Sequence, residues 1–505
     1  MPECDVAIIG AGPAGAAAAR LLAAWRHRVV LLERSVKGSP ESLRGSADTR
    51  SSARTLAESI PPSCRKLFAA IGVLDAIDRA GFYRSTGNTV WWGSDQPRRE
   101  VFTGGAHGYQ VERSRFDDLM RTCAVGAGAE LIEATVREVN AGAEGARIVA
   151  ADCELRARFV LDCSGRAGVV ARRGWRVDVP GHLRTVGLVG VWHCRDGWPA
   201  VDPTHTLVES YEDGWAWSVP LSPTIRYVTA MVDPQRTELA RGRPARDVYA
   251  AELRKTPHMS SVTAGATLEA GPWGCDASVY TARPYARAPV LIVGDAGTFI
   301  DPLSSFGIKK AVASAWLAAV AVHTSLRTPS MTDTALEFFS ARETEMASSL
   351  IEQARTHFGA AAFTHANPFW TDRAAPVDLP STRDPDVRVL REDPRVLRAF
   401  AAMKAHPDVA FSAGPAVRVE HRPIVRGNEI VLEDRLFVPD LPDGVRFLRD
   451  VDVVTLLALV RDHRGVPSLF DAYNRRSPPV ALPDFLGALS VMTALGMLAL
   501  TNGDW

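Results

Sequence analysis

A short apolar strand, a glycine-rich loop and an alanine-rich helix follow one another near the N-terminus, in the segment D-V-A-I-I-G-A-G-P-A-G-A-A-A-A-R. Gly10, Gly12 and Gly15 have the spacing GxGxxG. Glycines at these positions permit a tight turn and a close approach of the backbone to a pyrophosphate, whose charge the N-terminus of the helix attracts. The second strand, V-V-L-L-E, ends in Glu33, where a carboxylate would accept a hydrogen bond from a ribose hydroxyl. This order predicts a doubly wound α/β domain that binds a nucleotide. The further cofactor-binding residues predicted here are Pro13, Ala14 and Arg34.

Length and charge balance are typical of a globular protein with more than one domain. A chain of 505 residues is too long for one simple core, so two or three domains are expected. Hydrophobic residues make up 46% and charged residues 23%, which is the composition of an ordinary globular chain. The 58 Lys and Arg residues balance the 58 Asp and Glu residues, so nucleic acid is not expected as a partner.

The cysteines and the N-terminus favour a cytoplasmic location. Seven cysteines are scattered without a CxxC pair, which predicts reduced thiols and no metal site. The N-terminal residues M-P-E-C-D lack the basic region of a signal peptide. The uncharged stretch at 485–500 is shorter than the roughly 20 residues that span a bilayer. We therefore expect a buried terminal helix there and no membrane partner.

Three later segments indicate which nucleotide binds. The segment L-I-V-G-D-A-G-T-F-I-D-P-L-S-S-F-G-I-K-K-A at 291–311 combines an apolar strand, a Gly-Asp-Ala turn and the start of a long helix. Together with V-E-R-S-R-F-D-D-L-M at 111–120 and F-V-L-D-C-S-G-R-A-G at 159–168, it resembles the FAD-dependent hydroxylases and halogenases.

The resemblance implies FAD as the cofactor. It implies that Asp295 bonds the ribityl chain and that Arg113 lies near the cofactor. It also implies that a helix beginning near Gly307 and Ile308 points its N-terminus at the flavin ring. Only one GxGxxG loop is visible in the sequence, so two electron sources stay open. One is NAD(P)H bound without a domain of its own, and the other is a separate flavin reductase.

Two tryptophans stand one residue apart in D-G-W-A-W-S-V-P at 213–220. Because alternate side chains of a strand share a face, Trp215 and Trp217 are predicted to line one wall. The segment resembles the W-x-W-x-I-P segment of flavin-dependent halogenases, which implies a wall between flavin and substrate. Two rigid indoles shape such a cavity and exclude water from it. The alternative is a packed aromatic strand at a sheet edge that ends at Pro220.

The residues for halogen transfer do not match. The resemblance implies a lysine that receives hypohalous acid, but Arg84, Ser85 and Thr86 stand at its expected place. An arginine cannot replace it, because a guanidinium stays protonated and cannot act as a neutral amine. Ser304 stands where tryptophan halogenases carry a glutamate, although some phenol-type halogenases lack that glutamate too. The sequence thus predicts the wall of a halogenase without its lysine.

Stretches at 58–63, 84–94 and 301–311 resemble a sister group of flavoprotein monooxygenases. These enzymes hydroxylate a tryptophan side chain within a protein during maturation of quinone-cofactor oxidases and dehydrogenases. The resemblance implies O₂ as co-substrate and a flavin C4a-hydroperoxide that transfers oxygen to an aromatic ring. Our leading hypothesis is an FAD-dependent monooxygenase that hydroxylates an aromatic side chain, with tryptophan in a protein or peptide as the expected target. The alternatives are a halogenase with a displaced lysine and a non-catalytic flavoprotein that binds a peptide.

The predicted catalytic residues are Lys309, Trp215, Trp217 and Pro302. Lys309 and Lys310 follow Pro302 at the start of a helix, where two cations oppose the helix dipole. This cost indicates a nearby anion or the flavin itself, where a lysine would stabilise the oxygen that leaves from the flavin. For Lys310, the alternative is a side chain that faces solvent.

We predict three regions and an α/β fold with α+β character. The FAD-binding domain covers 1–355, with an interleaved antiparallel substrate sheet at roughly 80–110 and 175–285. A linker and a helix cover 356–414, where the composition turns to proline and polar residues.

The residues 415–505 contain three strand patterns followed by helical patterns at 452–461, 466–473 and 482–500. The third strand is expected just after the turn Asp443-Gly444. This order resembles winged-helix modules that recognise leader peptides, which implies a polypeptide partner held at a strand edge. The alternative is a structural cap or a dimerisation domain.

Overall fold

The computed structural model describes the residues 3–35, 55–151, 153–178, 183–199, 202–376 and 393–501. The chain divides into two compact units, Met1–Ser381 and Thr382–Trp505. Part of the predicted connecting segment 356–414, namely 377–392, lies outside the described residues.

The first unit contains most of the strands and helices. Its strands are β1 (Glu3–Ile9), β2 (Val29–Glu33), β3 (Ala57–Ile60), β4 (Tyr83–Ser85), β5 (Gly87–Trp91), β6 (Arg98–Val101), β7 (Gly108–Glu112), β8 (Glu130–Glu133), β9 (Val136–Gly142), β10 (Gly145–Ala150), β11 (Glu154–Asp162), β12 (Arg176–Asp178), β13 (Val186–His193), β14 (Thr206–Tyr211), β15 (Gly214–Pro220), β16 (Ile225–Val232), β17 (Thr267–Asp276), β18 (Tyr280–Ala282), β19 (Ala286–Arg287) and β20 (Val290–Ile292). Its helices are α1 (Pro13–Ala24), α2 (Cys64–Ala70), α3 (Leu74–Arg79), α4 (Arg113–Gly126), α5 (Ala245–Arg254), α6 (Pro257–Thr263), α7 (Gly307–Arg327), α8 (Thr332–Thr364) and α9 (Pro368–Ala374).

A mainly parallel sheet forms the first layer of this unit. Its strand order is β19-β20-β11-β1-β2-β8, and the hairpin β9–β10 joins it beside β11. The central strand β1 is parallel to both neighbours, and its Val6, Ala7 and Ile8 are fully buried. Continuous apolar runs of this kind belong to parallel strands that helices cover on both faces. The predicted α/β fold with a Rossmann-type nucleotide-binding domain is confirmed.

A second sheet of seven strands, in the order β17-β13-β16-β15-β14-β5-β6, supplies the substrate domain. All its strands lie within the two predicted insert segments. The sheet is not wholly antiparallel as expected, because β14 and β5 run parallel to each other. The two strands come from chain segments more than 100 residues apart, and such a pair needs no hairpin to connect it.

The long helices α7 and α8 pack against each other, and α7 also packs against α1. The helix α8 runs without a proline from Thr332 to Thr364, so it crosses residue 355, where the sequence predicted a domain boundary. The division into compact units therefore differs from the predicted one, because a continuous helix with a buried face stays with the core it packs on.

The second unit has its own core. Its strands are β21 (Phe411–Ala413), β22 (Arg418–Arg426), β23 (Glu429–Val438), β24 (Leu441–Val445), β25 (Phe447–Leu448), β26 (Val451–Asp452) and β27 (Leu498–Leu500), and its helices are α10 (Pro394–Ala405), α11 (Val453–Leu459), α12 (Val466–Arg476) and α13 (Leu482–Ala494). β22, β23 and β24 form one sheet, with β22 at an edge among the described residues. Leu436, Leu456, Leu469, Phe485 and Met492 are buried together in the core.

Two expectations for this unit were wrong. The predicted helix at 482–500 ends at Ala494, and β27 follows, because Gly496 adopts a left-handed conformation with φ of 72° that terminates the helix. The third strand begins before the Asp443-Gly444 turn, since β24 covers Leu441–Val445. No helix among the described residues has the length and apolarity to cross a bilayer.

Candidate functional site

A cavity of about 890 Å³ lies between the C-terminal ends of β1, β2 and β11 and one face of the seven-stranded sheet. The predicted site residues in its lining are Gly10, Gly12, Pro13, Ala14, Glu33, Arg34, Arg113, Trp215, Trp217, Asp295, Pro302, Gly307 and Ile308. Two predicted residues, Gly15 and Lys309, are outside its lining. Ligands of open α/β sheets bind at this carboxyl edge of the strands. We call this space the first cavity.

Each of the three glycines of the loop is required, or tolerated, for a different structural reason. Gly10 has φ of 95°, and a Cβ there would lie 2.6 Å from the carbonyl oxygen of Cys163. A Cβ on Gly15 would lie 1.8 Å from the carbonyl oxygen of Gly10, so Gly15 allows α1 to touch the loop. Apart from its two chain neighbours, no atom of the described residues would lie within 4 Å of a Cβ on Gly12. Gly12 therefore leaves open space at the lining, and the other two glycines are required by packing.

The N-terminus of α1 is open to an anion. No side chain caps it, and its first turn contains no acidic residue. Its N–H groups therefore suit a phosphate group. Glu33, at the end of β2, accepts a hydrogen bond from the N–H of Ala11 at 2.7 Å and also lines the cavity. Phosphate donors beside a carboxylate for the ribose fit the adenosine diphosphate part of FAD.

Arg113 begins α4 and is held by two carboxylates. Its Nη1 lies 2.5 Å from Oε1 of Glu58, and its Nε lies 3.1 Å from Oδ1 of Asp117. Burial lowers the pKa of Arg113, but the attraction of Asp117 and Glu58 outweighs burial and raises the pKa above its ordinary value. Burial raises the pKa of Glu58 against the influence of Arg113. Sequence reasoning identified Arg113 but not Glu58, although Glu58 begins one of the stretches that carried the resemblance.

The adjacent lysines of α7 point to different places. Lys310 is buried in the lining of the first cavity, and its Nζ donates to Oδ1 of Asp295 at 2.7 Å. It also donates to the carbonyl oxygen of Thr298. Lys309 is half-buried, with its Nζ 3.3 Å from Oγ of Ser63. Successive helical residues are about 100° apart around the axis, which separates the two ammonium groups.

Trp215 and Trp217 line the first cavity together, with ring centroids 5.0 Å apart. Trp215 is fully buried, and its indole Nε1 has no hydrogen-bond partner among the described residues. Trp92 packs edge-on against Trp215, with ring centroids 6.2 Å apart. Trp370 of α9 packs edge-on against Trp92, with ring centroids 5.3 Å apart. The wall is therefore larger than the predicted pair. No sequence periodicity links Trp92 and Trp370, because they come from distant segments.

A second cavity of about 330 Å³ adjoins the first on the same face of the seven-stranded sheet, over β14, β5 and β6. The residues that line both cavities are Ser59, Thr206, Val208, Leu303 and Ser305. The other residues of its lining are Pro61, Ser63, Asn88, Val90, Trp92, Arg98, Glu100, Phe102, Phe306, Gln353, Ala354 and His357. The lining of this second cavity mixes eight apolar residues, of which Trp92, Phe102 and Phe306 are aromatic, with nine polar or charged residues. Aromatic side chains beside placed polar groups suit a small aromatic ligand.

Lysines are scarce near these cavities. The sequence contains six, Lys37, Lys66, Lys255, Lys309, Lys310 and Lys404, and Lys37 lies outside the described residues. None of the five others lines the second cavity, and of these five only Lys310 lines the first. Ser85 is fully buried, and Oγ1 of Thr86 lies 2.5 Å from Oγ1 of Thr204.

The Rossmann-type sheet with its glycine loop and the adjoining substrate domain have the arrangement found in the class of FAD-dependent oxidoreductases. The chain belongs to the tryptophan halogenase family, since the profile of that family matches residues 92–413. Tryptophan 2-halogenase of Chondromyces crocatus is 28% identical over 63% of this chain and 60% of its own length. The flavin-dependent halogenase armH3 of Armillaria mellea is 28% identical over 67% of this chain and 71% of its own. The chain thus aligns with less than two thirds of the first relative.

Two solved structures share the fold along nearly the whole chain. CmlS, a flavin-dependent halogenase, has a TM-score of 0.73 and 21% identity, covering 99% of this chain and 96% of its own. QhpG, a peptidyl tryptophan dihydroxylase essential for tryptophylquinone cofactor biogenesis, has a TM-score of 0.67 and 22% identity, covering 98% of this chain and 99% of its own. The resemblance to the halogenase-like FAD enzymes is confirmed.

Proposed function

We propose that this protein is an FAD-dependent monooxygenase that hydroxylates an aromatic side chain, namely the indole of tryptophan in a peptide or protein. The observation that carries the proposal is a second cavity beside the first, lined in part by Trp92, Phe102 and Phe306 and with no described lysine in its lining. Halogen transfer would need an amine there, whereas oxygen transfer needs an enclosed, polarised cavity. The likeness of the fold to a peptidyl tryptophan dihydroxylase is consistent with it.

The lining of the first cavity contains suitable groups for each part of FAD. We assign the pyrophosphate to Gly10, Gly12 and the start of α1 at Pro13 and Ala14. We assign the remaining parts of FAD to other residues of the lining. These are Glu33 and Arg34 at the ribose, Arg113 near the cofactor, Asp295 at the ribityl chain, and Gly307 and Ile308 at the flavin ring. Gly15 supports the loop by packing. Reduced FAD supplies the electrons that activate O₂, the co-substrate.

The aromatic wall and its surroundings would exclude water and hold the substrate. Trp215 and Trp217 close the first cavity, and Pro302 lines it beside Leu303, which also lines the second cavity. We propose Lys309 as the cation that would stabilise the oxygen leaving from the flavin during oxygen transfer, from the side of the substrate. Its hydrogen-bond partner Ser63 lines the second cavity, which supports that placement.

Electrons and substrate would reach the protein from partners. A flavin reductase or direct binding of NAD(P)H would supply reducing equivalents. We propose that residues 415–505 hold the polypeptide substrate, because β22 is an edge strand that can accept an extended peptide. Both CmlS and QhpG match this part of the chain, so its presence alone does not distinguish a halogenase from a hydroxylase.

A halogenase is the second candidate, favoured by the family and by its curated relatives. Lys309 would then be the amine, since it is the described lysine that contacts a residue of the second cavity. A third candidate is a flavoprotein that binds a peptide without catalysis.

The test mixes the reduced, FAD-loaded protein with O₂ in the presence of free tryptophan or a tryptophan-containing peptide, with and without chloride or bromide. We expect the product to gain oxygen from isotopically labelled O₂ whatever the halide, with a lower KM for the peptide. A halogenated product identified by its isotope pattern would establish the second candidate instead. Reoxidation of the flavin without any modified product would support the third.

A further inference from the structure

Lys310 is an unusual residue, because its charged side chain is only 2% exposed. It lies in the first turns of α7, where its N–H donates to the carbonyl oxygen of Phe306 at 2.8 Å. A cation near a helix N-terminus opposes the helix dipole, and burial of an ammonium group is costly without a partner. An unfavourable position of this kind needs a compensating interaction.

That interaction is with Asp295. The Nζ of Lys310 lies 2.7 Å from Oδ1 of Asp295, whose side chain is 32% exposed toward the first cavity. A carboxylate offers about four acceptor positions on its two oxygens, so a bond at Oδ1 leaves others for a ligand. Lys310 thus fixes the direction of the Asp295 carboxylate and neutralises its charge at the edge of the cavity.

Other groups hold the backbone of the same loop independently of Lys310. Tyr280 donates its hydroxyl to the carbonyl oxygen of Asp295 at 2.6 Å, and Arg176 donates to the carbonyl oxygen of Ala296 at 2.8 Å. The N–H of Gly294 donates to Oγ of Ser314, one turn after Lys310 on α7, at 2.9 Å. The main chain therefore keeps its place without the ammonium group, whereas the carboxylate does not.

The geometry points to Lys310 as a positioning residue for FAD, which orients Asp295 toward the ribityl chain. Lys309, the preceding residue, has no such role because its ammonium group lies at Ser63. This inference rests on the assignment of the first cavity to FAD and on neither candidate reaction. A failure of the hydroxylation assay would therefore leave it standing.

The test titrates the full-length, FAD-free protein with FAD and follows flavin fluorescence. We expect Lys310→Met and Asp295→Asn each to raise the Kd for FAD on the order of ten-fold, the loss of one charge-assisted hydrogen bond. The double variant should bind FAD as tightly as the single variant with the higher Kd, because both substitutions remove the same interaction. Lys66→Met, at an exposed lysine outside the lining of both cavities, should leave the Kd within about two-fold.

ADP is the control ligand, since it carries the adenosine and phosphate groups but no ribityl chain. Its affinity should stay the same in Lys310→Met, whereas a distorted glycine loop would weaken both ligands. Additive effects of the two substitutions, or an unchanged Kd for FAD, would overturn the inference. If Lys310→Met does not fold, Lys310→Gln keeps a donor for Thr298 without the charge. Failure of both to fold while Asp295→Asn folds would also overturn it, because Lys310 would then be required by the fold.

Discussion

Lys309 and Lys310 are adjacent in the sequence, but their side chains have different surroundings. The ammonium group of Lys310 lies in the first cavity with Asp295, and that of Lys309 lies at Ser63, which lines the second cavity. The sequence pattern predicted a cation here and favoured Lys309. The structure places the buried cation one position later, so the two residues need separate tests.

Lys309→Arg distinguishes the two enzymatic candidates. An arginine keeps the positive charge but cannot act as a neutral amine. A hydroxylase that uses the charge should keep most of its coupled product formation, whereas a halogenase that uses the amine should lose it by on the order of a hundred-fold. Product yield per flavin oxidised is the measurement, with Lys309→Ala as the charge-free control. Full coupling in Lys309→Ala would remove Lys309 from the catalytic residues.

Glu343 of α8 is a buried carboxyl group near Lys310. Burial raises its pKa from 4.5 to about 7, against the opposing influence of Ser314 and Lys310. The folded state therefore holds more protons than the unfolded state between these values, so stability falls as the pH rises through them. Oε2 of Glu343 has no hydrogen-bond partner among the described residues.

We expect Glu343→Gln to remove this dependence on pH. Relative to the variant, the wild-type protein should lose up to about 3 kcal/mol of unfolding free energy between about pH 5 and pH 8. Urea unfolding of the FAD-free protein at both pH values measures the difference. Glu345→Gln, at a more exposed position of the same helix, is the matched control. Parallel pH curves for the wild type and Glu343→Gln would contradict the prediction.

At the level of secondary-structure elements, the contact between the glycine loop and α1 determines the shape of the phosphate site. Gly15 allows the helix to touch the loop, and Gly12 opens toward the cavity. The same residue type thus serves packing at one position and ligand binding at the other, although the sequence motif treats both alike.

Matched alanine substitutions separate these two purposes. Gly15→Ala places a Cβ 1.8 Å from the carbonyl oxygen of Gly10, so we expect a loss of about 3 kcal/mol of stability or more. The methyl group of Gly12→Ala meets no atom of the described residues beyond its chain neighbours, so the stability of the FAD-free protein should change by about 0.5 kcal/mol at most. Its Kd for FAD should rise more than about ten-fold, because the methyl group occupies the space of the pyrophosphate. Thermal unfolding and FAD titration of both variants check this, and a stable Gly15→Ala would refute it.

At the level of the whole molecule, two compact units replace the three predicted regions. The described lining of both cavities belongs to the first unit. The second unit has its own core and an edge strand, β22, that we propose for a polypeptide. The boundary at 355 was missed because α8 continues through a compositional change that the sequence pattern treated as a linker.

Local patterns in the sequence were enough for the nucleotide-binding sheet, the glycine loop and the start of α7, because each depends on residues close together along the chain. Strand alternation likewise put Trp215 and Trp217 on one face. The partners of those residues could not be read in the same way. Trp92 and Glu58 line the cavities from segments far from the tryptophan pair, and Trp370 supports Trp92 from behind. Their contacts follow from packing between sheets and helices. The choice between Lys309 and Lys310 depends on the rotation of α7 about its axis, which its packing against α1 and α8 sets.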